Sequence, residues 1–150
     1  MDTKFSVAIH VMILISEAEK PMNSDMMSKS IGTNSSYVRK IIVKLKNANI
    51  VENKGRNKGY CLCESPADIT LLSIYRAVEN DLRPHLFDIH LNPNDKCLVG
   101  RYIRPTLNGV LERVENNVCQ SLAKITLADC IDNLKNLIAT QSQMHGGNML

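Results

Sequence analysis

Residues 34–63 read NSSYVRKIIVKLKNANIVENKGRNKGYCLC, and two different periodicities meet in them. Val38, Ile41, Ile42 and Leu45 recur at i, i+3, i+4 and i+7, the spacing of one helix face. At about 3.6 residues per turn the opposite face carries Ser36, Arg39, Lys40, Val43 and Asn47, with Lys44 and Lys46 on the flanks. Ile50-Val51 and Tyr60-Cys61-Leu62 are short β-favouring runs. The polar turn between them holds Gly55 and Gly59 with Lys54, Arg56 and Lys58. A basic helix followed at once by a basic hairpin predicts a winged helix-turn-helix that grips a nucleic acid.

The charge distribution points the same way. Residues 34–64 hold seven Lys or Arg and two acids, a net of +5, whereas the whole chain is +3, so the remainder is −2. Positive charge is concentrated on the one segment whose geometry needs it, because phosphate neutralisation supplies most non-specific DNA affinity.

A chain of 150 residues suits one or two small domains. With no Trp and two Phe, its core must be aliphatic and methionine-rich, which favours packed helices. Five cysteines, at 61, 63, 97, 119 and 130, are an odd number at spacings that match no disulfide scaffold. A reducing, cytoplasmic compartment is the expectation. The run FSVAIHVMILI at 5–15 has His10 at its middle and is too short to span a bilayer. It reads as a buried helix, and no membrane partner is expected.

Helix 1 is predicted from about Thr3 to Ala18, ahead of Pro21. Phe5, Ile9, Met12 and Ser16 form one face, and Val7, Val11, Leu14 and Ala18 another. A helix apolar on most sides needs cover on most sides, from a second copy of the chain or from an embracing C-terminal helix. Asn23-Ser24 offers a cap for helix 2, about Ser24 to Ile31, with Met27 and Ile31 inward and Gly32 at its end. A three-residue break then leads into helix 3, capped by Thr33 or Asn34. This is helix-turn-helix spacing, with Ser35 and Ser36 in the first turn of the second helix. Pro66 can start a short helical turn, and Thr70 can cap helix 4, Leu71 to about Glu79.

Residues 80–97 have two prolines, three asparagines and no sustained period, so they read as an irregular connection. A long helix is predicted from Leu98 to about Leu122, with Pro105 marking a start or a kink of its regular part. Ile103, Leu107, Val110, Val114, Asn117 and Ser121 follow 4-3-4-3-4 spacing, a coiled-coil-like seam in which Asn117 would fix register. A last helix, capped by Thr126 with Asp129 three residues on, uses Leu127, Ile131, Leu134 and Ile138. Residues 141–150 read as a frayed tail. The expected organisation is a DNA-binding domain over 1–79, a connection over 80–97, dimerisation helices over 98–140 and that tail.

Taken together, these pieces resemble the Rrf-two family of bacterial winged-helix transcription regulators over nearly the whole chain. The resemblance is carried by residues 5–9 (FSVAI), 36–40 (SYVRK), 45–51 (LKNANIV), Gly55-Arg56, Gly59-Tyr60, 69–72 (ITLL), 76–79 (RAVE) and 92–100 (NPNDKCLVG). It implies a homodimer, paired through the long helix, on a partly palindromic operator. The sequence departs from the family pattern twice. Asn49 stands where the family usually has Gly, and Lys58 where a second wing glycine is common. Asn tolerates left-handed geometry at the first of these.

Cluster-binding members of that family carry three cysteines in the connection before the long helix, where this chain has only Cys97. No cofactor is therefore expected, and an iron–sulfur centre is disfavoured. Cys61 and Cys63 share one face of a strand, and Cys119 and Cys130 read as small core residues. His85, Asp88, His90, Asp95 and Cys97 have no diagnostic metal spacing and read as solvated loop residues. Cys97, ahead of a long helix whose amides favour the thiolate, is the candidate redox sensor.

The expected DNA contacts are Asn34, with Ser35, Ser36 and Arg39 toward the groove, Tyr37, Lys40 and Lys44 toward phosphate, and Lys54, Arg56 and Lys58 from the wing. The expected dimer contacts are Ile103, Leu107, Val110, Val114 and Asn117. The functional expectation is a dimeric, sequence-specific regulator acting as a repressor on double-stranded DNA, its effector unspecified. A winged-helix module docking on an enzyme or polymerase is the alternative. No Ser-His-Asp or Cys-His grouping, phosphate loop or paired-carboxylate motif points to an enzyme.

Overall fold

The structure is a computed structural model and describes residues 2–144. Six helices and one hairpin follow in the order α1 (Lys4–Glu17), α2 (Ser24–Ile31), α3 (Ser35–Asn47), β1 (Val51–Asn53), β2 (Tyr60–Leu62), α4 (Leu71–Glu79), α5 (Leu98–Lys124) and α6 (Leu127–Met144). A single 3-10 turn at Pro66–Asp68 precedes α4. The architecture is mostly helical, with a winged helix-turn-helix followed by a long helix, as the sequence predicts.

Local chemistry fixes most boundaries. Asn23 Oδ1 accepts the Met26 amide at 2.9 Å and opens α2. Gly32 closes it in left-handed geometry, φ 80°, with its amide on the Ser28 carbonyl. Asn34, rather than Thr33, caps α3, its Oδ1 accepting the Tyr37 amide at 2.8 Å. Thr70 caps α4 through the Ser73 amide, 3.1 Å. Thr126 and Asp129 form a reciprocal capping box on α6, at 2.9 and 3.1 Å.

The hairpin pairs Val51 with Leu62, Glu52 with Cys61 and Asn53 with Tyr60. Its first strand begins one residue later than the β-favouring run suggests. The Ile50 amide is spent on the Leu45 carbonyl, 3.1 Å, while its own carbonyl accepts the Cys63 amide at 2.9 Å, so this residue joins the end of α3 to the hairpin. Asn49 takes φ 58° at that helix exit, a left-handed geometry that asparagine tolerates. In the wing turn Asn57 adopts φ 60°, so the left-handed demand falls on it and Lys58 is free of it.

Val7, Ala8, Val11, Met12 and Ile15 of α1 lie at the centre of one core with Met27, Val38, Ile41, Ile42, Leu45, Ile74 and Val78. Leu127 and Ile131 belong to the same core, because α6 returns to pack on α1 and on the 3-10 turn. The embracing C-terminal helix thus covers part of α1. The junction is also hydrogen-bonded: the Leu71 amide reaches the Ile125 carbonyl at 2.9 Å, and the Leu127 amide reaches Ile69 at 2.8 Å.

The long helix runs from Leu98 to Lys124, in keeping with the expected span of Leu98 to about Leu122, and Pro105 lies inside it. The carbonyl that Pro105 leaves without a helical donor belongs to Arg101, an exposed residue, so solvent can satisfy it. Helix α6 continues to Met144, four residues into the span read as a tail, which corrects that expectation. No glycine or proline interrupts it before Gly146, and Thr140 Oγ1 bonds back to the Asn136 carbonyl. The rest of that tail, 145–150, lies outside the described residues.

Candidate nucleic-acid interface

Helix α3 turns its apolar stripe fully inward, with Val38, Ile41, Ile42 and Leu45 all buried. The opposite face is left to solvent: Ser36, Arg39, Lys40, Val43, Lys46 and Asn47 are exposed. Val43, an apolar residue in the middle of that face, is 52% exposed. Lys54, Arg56 and Lys58 are likewise exposed on the wing. Among the described residues, none of these cations has a carboxylate within ion-pair distance.

The N-terminus of α2 brings the two basic elements together. Arg39 Nη1 reaches Ser24 Oγ, the first residue of α2, at 3.4 Å. Gly59 of the wing lies so close to the segment before α2 that a Cβ there would sit 3.2 Å from Met22 N and Pro21 Cα. An open cleft of about 320 Å³ between Pro21–Asn23 and the wing is lined by Arg56, Asn53 and Asn57. The exposed end of α3 and the wing therefore flank one surface.

The remaining expected contacts divide. Asn34 and Ser36 are engaged with each other in the cap, Ser36 Oγ donating to Asn34 Oδ1 at 2.9 Å, and both remain exposed. Ser35 and Tyr37 are half-buried. Lys44 departs from the phosphate-facing expectation. Its ammonium donates to the Val78 carbonyl at the end of α4, 2.9 Å away, and its side chain is half-buried.

Residues 80–97 form a strap across α5. Arg83 pairs with Glu112 at 2.8 Å and lies 3.7 Å from Glu115. The Leu86 amide donates to Glu115 at 3.2 Å, and Arg104 returns the contact to the carbonyls of Ile89 and His90. His85 sits between Asp88, at 2.8 Å, and Glu115, at 3.7 Å, and the Asp88 hydrogen bond raises its pKa. Glu115, only 6% exposed, is the sole buried residue of α5 among those described. Sequence reading missed it as one more charge on a long helix. The signal was there in Arg104, Asn108, Leu111 and Glu115, a second 4-3-4 stripe that turns out to face the strap.

The expected dimer contacts lie on the neighbouring stripe. Ile103 and Leu107 are half-buried, whereas Val110 (50%), Val114 (40%) and Asn117 are exposed. Leu134, Leu137 and Ile138 of α6 are exposed as well. Cys97 caps α5 and is exposed, and the amides of Gly100 and Val99 hold its thiol below the ordinary pKa without closing a full capping hydrogen bond. Burial pushes Cys61, Cys63 and Cys130 the other way.

The family model described as Rrf2, iron-dependent transcriptional regulator, matches residues 1–133. The protein YwnA of Bacillus subtilis (strain 168), named as an HTH-type transcriptional regulator, is 38% identical over 134 residues, 89% of this chain and 98% of that one. A crystal structure described as a DNA-binding protein is similar at a TM-score of 0.70 and 35% identity, covering 85% of this chain and 98% of that chain. CymR, the global cysteine regulator of B. subtilis, shares the fold at a TM-score of 0.66 and 22% identity, covering 88% and 95%.

Among the described residues no three His, Cys, Asp or Glu side chains converge to hold a metal ion, and Cys97 is alone in the strap. Nor is any helix of the described residues long and apolar enough to cross a membrane. Fold, site layout and relatives agree, and this chain belongs to the Rrf2 family of transcriptional regulators, which are not enzymes.

Proposed function

We propose that the chain is a homodimeric repressor that binds a partly palindromic operator with two copies of α3 and two wings, in a cytoplasmic setting. The observation that carries this is the set of ion-pair-free cations on α3 and the wing, both flanking the start of α2. Arg39 is assigned to base edges and Lys40, Lys54, Arg56 and Lys58 to phosphates, with Asn34, Ser35, Ser36 and Tyr37 placing the first turn of α3. Val43 is suited to a thymine methyl group, the apolar feature of the major groove. Repression follows from occupancy of a promoter.

Selection from a random duplex pool would yield the operator and its half-site spacing. On that operator Arg39→Ala is expected to cost ~1–3 kcal/mol and relax base preference at one position of each half-site. Lys58→Ala is expected to weaken all duplexes alike and to reduce the salt slope by about one phosphate contact per protomer. Binding that ignores salt would favour the alternative, a module that docks on another protein.

Dimer formation is supported by α5 itself. Among the described residues the only fully buried side chain of this 27-residue helix is a carboxylate, and its Val110–Val114 stripe is not the one the strap covers. A second copy supplies the missing layer through Ile103, Leu107, Val110, Val114 and Asn117.

Cys97 is proposed as the oxidant-responsive thiol. The thiolate is the reactive form, and this is the one cysteine held low while three others are held high. A depressed folded pKa means the thiolate persists as pH falls through the ordinary thiol range near ~8.5. Iodoacetamide labelling followed by mass spectrometry is therefore expected to modify Cys97 first, with a half-maximal rate at lower pH than Cys63. Cys97→Ser should lose the change in DNA affinity that peroxide causes in the parent; an identical peroxide response would discard the sensor.

A further inference from the structure

We propose that Lys44 is a positioning residue of the recognition helix: its ammonium locks α3 to the C-terminus of α4, and α4 carries that lock to the α5–α6 junction. This rests on α3 being the recognition helix.

The joint is built at both of its ends. Helix α4 ends at Glu79, with Asn80 in left-handed geometry, φ 57°, so its last carbonyls lack helical donors. The Val78 side of that end is fully buried, and Lys44 Nζ occupies the Val78 carbonyl at 2.9 Å. A cation there also meets the negative end of the α4 dipole. Arg76, the basic residue of the last turn, does not compete, because its Nε is spent on the Leu82 carbonyl beyond the helix. At the other end α4 is pinned by backbone hydrogen bonds as well as by packing of Leu71 and Ile74 in the core. Thr70 bridges to Thr126, and the Leu71 amide binds Ile125. Helix α4 is thus a strut between the α5–α6 junction and α3.

Apolar contacts of Ile41, Ile42 and Leu45 hold α3 on the core but are non-directional, and tolerate small rotations of the helix. One charge-assisted hydrogen bond near its C-terminus fixes which way the Arg39 face points. To bind a phosphate instead, Lys44 would have to leave a buried carbonyl unpaired, which is costly. A change of geometry at the junction would reach the recognition face by this route.

The test compares Lys44→Met, which keeps the length of the stem and removes charge and donor, with Lys44→Arg, which keeps both. Full-length proteins are titrated with the selected operator and a scrambled duplex over a salt series, below the melting range of each variant. Lys44→Met is expected to lose about tenfold in operator affinity, with scrambled-duplex affinity and salt slope unchanged, and Lys44→Arg to recover most of it. A salt slope reduced by about one contact per protomer, with both duplexes weakened together, would make Lys44 a phosphate ligand and overturn the proposal. Unchanged operator affinity with only a lower Tm would reduce it to a stabilising contact, and overturns it equally. Lys44→Gln, which retains a neutral donor, replaces the Met variant if that one does not fold. Arg39→Ala on the same duplexes separates the two readings. If it too is without effect, α3 is not the recognition helix. If it weakens binding while Lys44→Met does not, only the strut is wrong.

Discussion

A Val114→Asp variant is expected to sediment as a monomer and to bind the complete operator roughly 10²–10⁴-fold more weakly than the parent. The reason is avidity: in a dimer the second half-site is bound as an intramolecular event, and a monomer forfeits it. Val114 is 40% exposed in the single chain, so the carboxylate costs the isolated fold little. In the proposed seam it would be trapped among Val110 and Leu107 and their copies, facing its own symmetry mate, where an unpaired charge is costly. Affinity for a lone half-site should stay within about twofold, because α3 and the wing are far from the change and untouched by it. Sedimentation and titration read the two effects separately. A dimeric Val114→Asp protein with full operator affinity would place the pairing surface elsewhere, with the exposed α6 stripe of Leu134, Leu137 and Ile138 the next candidate.

What was legible in the sequence was what local chemistry decides. Asn23, Thr70 and the Thr126–Asp129 pair each satisfy amides within three residues of themselves, so α2, α4 and α6 begin where their caps say. The buried stripe of α3 was readable for the same reason, since it depends only on helical spacing. What was hidden depends on contacts remote in sequence. Lys44 sits on a flank of α3 in any helical wheel. Only the tertiary arrangement brings the end of α4, 34 residues on, within reach of its ammonium. Glu115 reads as surface until Arg83 and the Leu86 amide, 29 residues earlier for the latter, are folded over it. Ile50 reads as strand by type and does accept the Cys63 amide across the hairpin, but its own amide is claimed by the closing turn of α3, a sharing that no local pattern reveals.

Leu127→Ala is expected to cost ~2–5 kcal/mol of unfolding free energy, whereas Leu134→Ala on the same helix should change the single chain by less than about 1 kcal/mol. Leu127 is fully buried and packs in one core with α1 and α3, while Leu134 is 39% exposed. If the C-terminal helices served pairing alone, the two substitutions would rank the other way, because Leu134 continues the exposed stripe. Helix α6 also supplies the Leu127 amide to Ile69 and covers part of α1, which the central helix needs because it is apolar on most of its sides. Urea denaturation at one fixed chain concentration, with the slope unchanged, reads the cost of the cavity directly. A small domain has only about 5–15 kcal/mol to lose, so the Leu127 variant should melt well below the parent. A loss under about 1 kcal/mol would mean that α6 is a detachable appendage and that the winged helix closes its core without it.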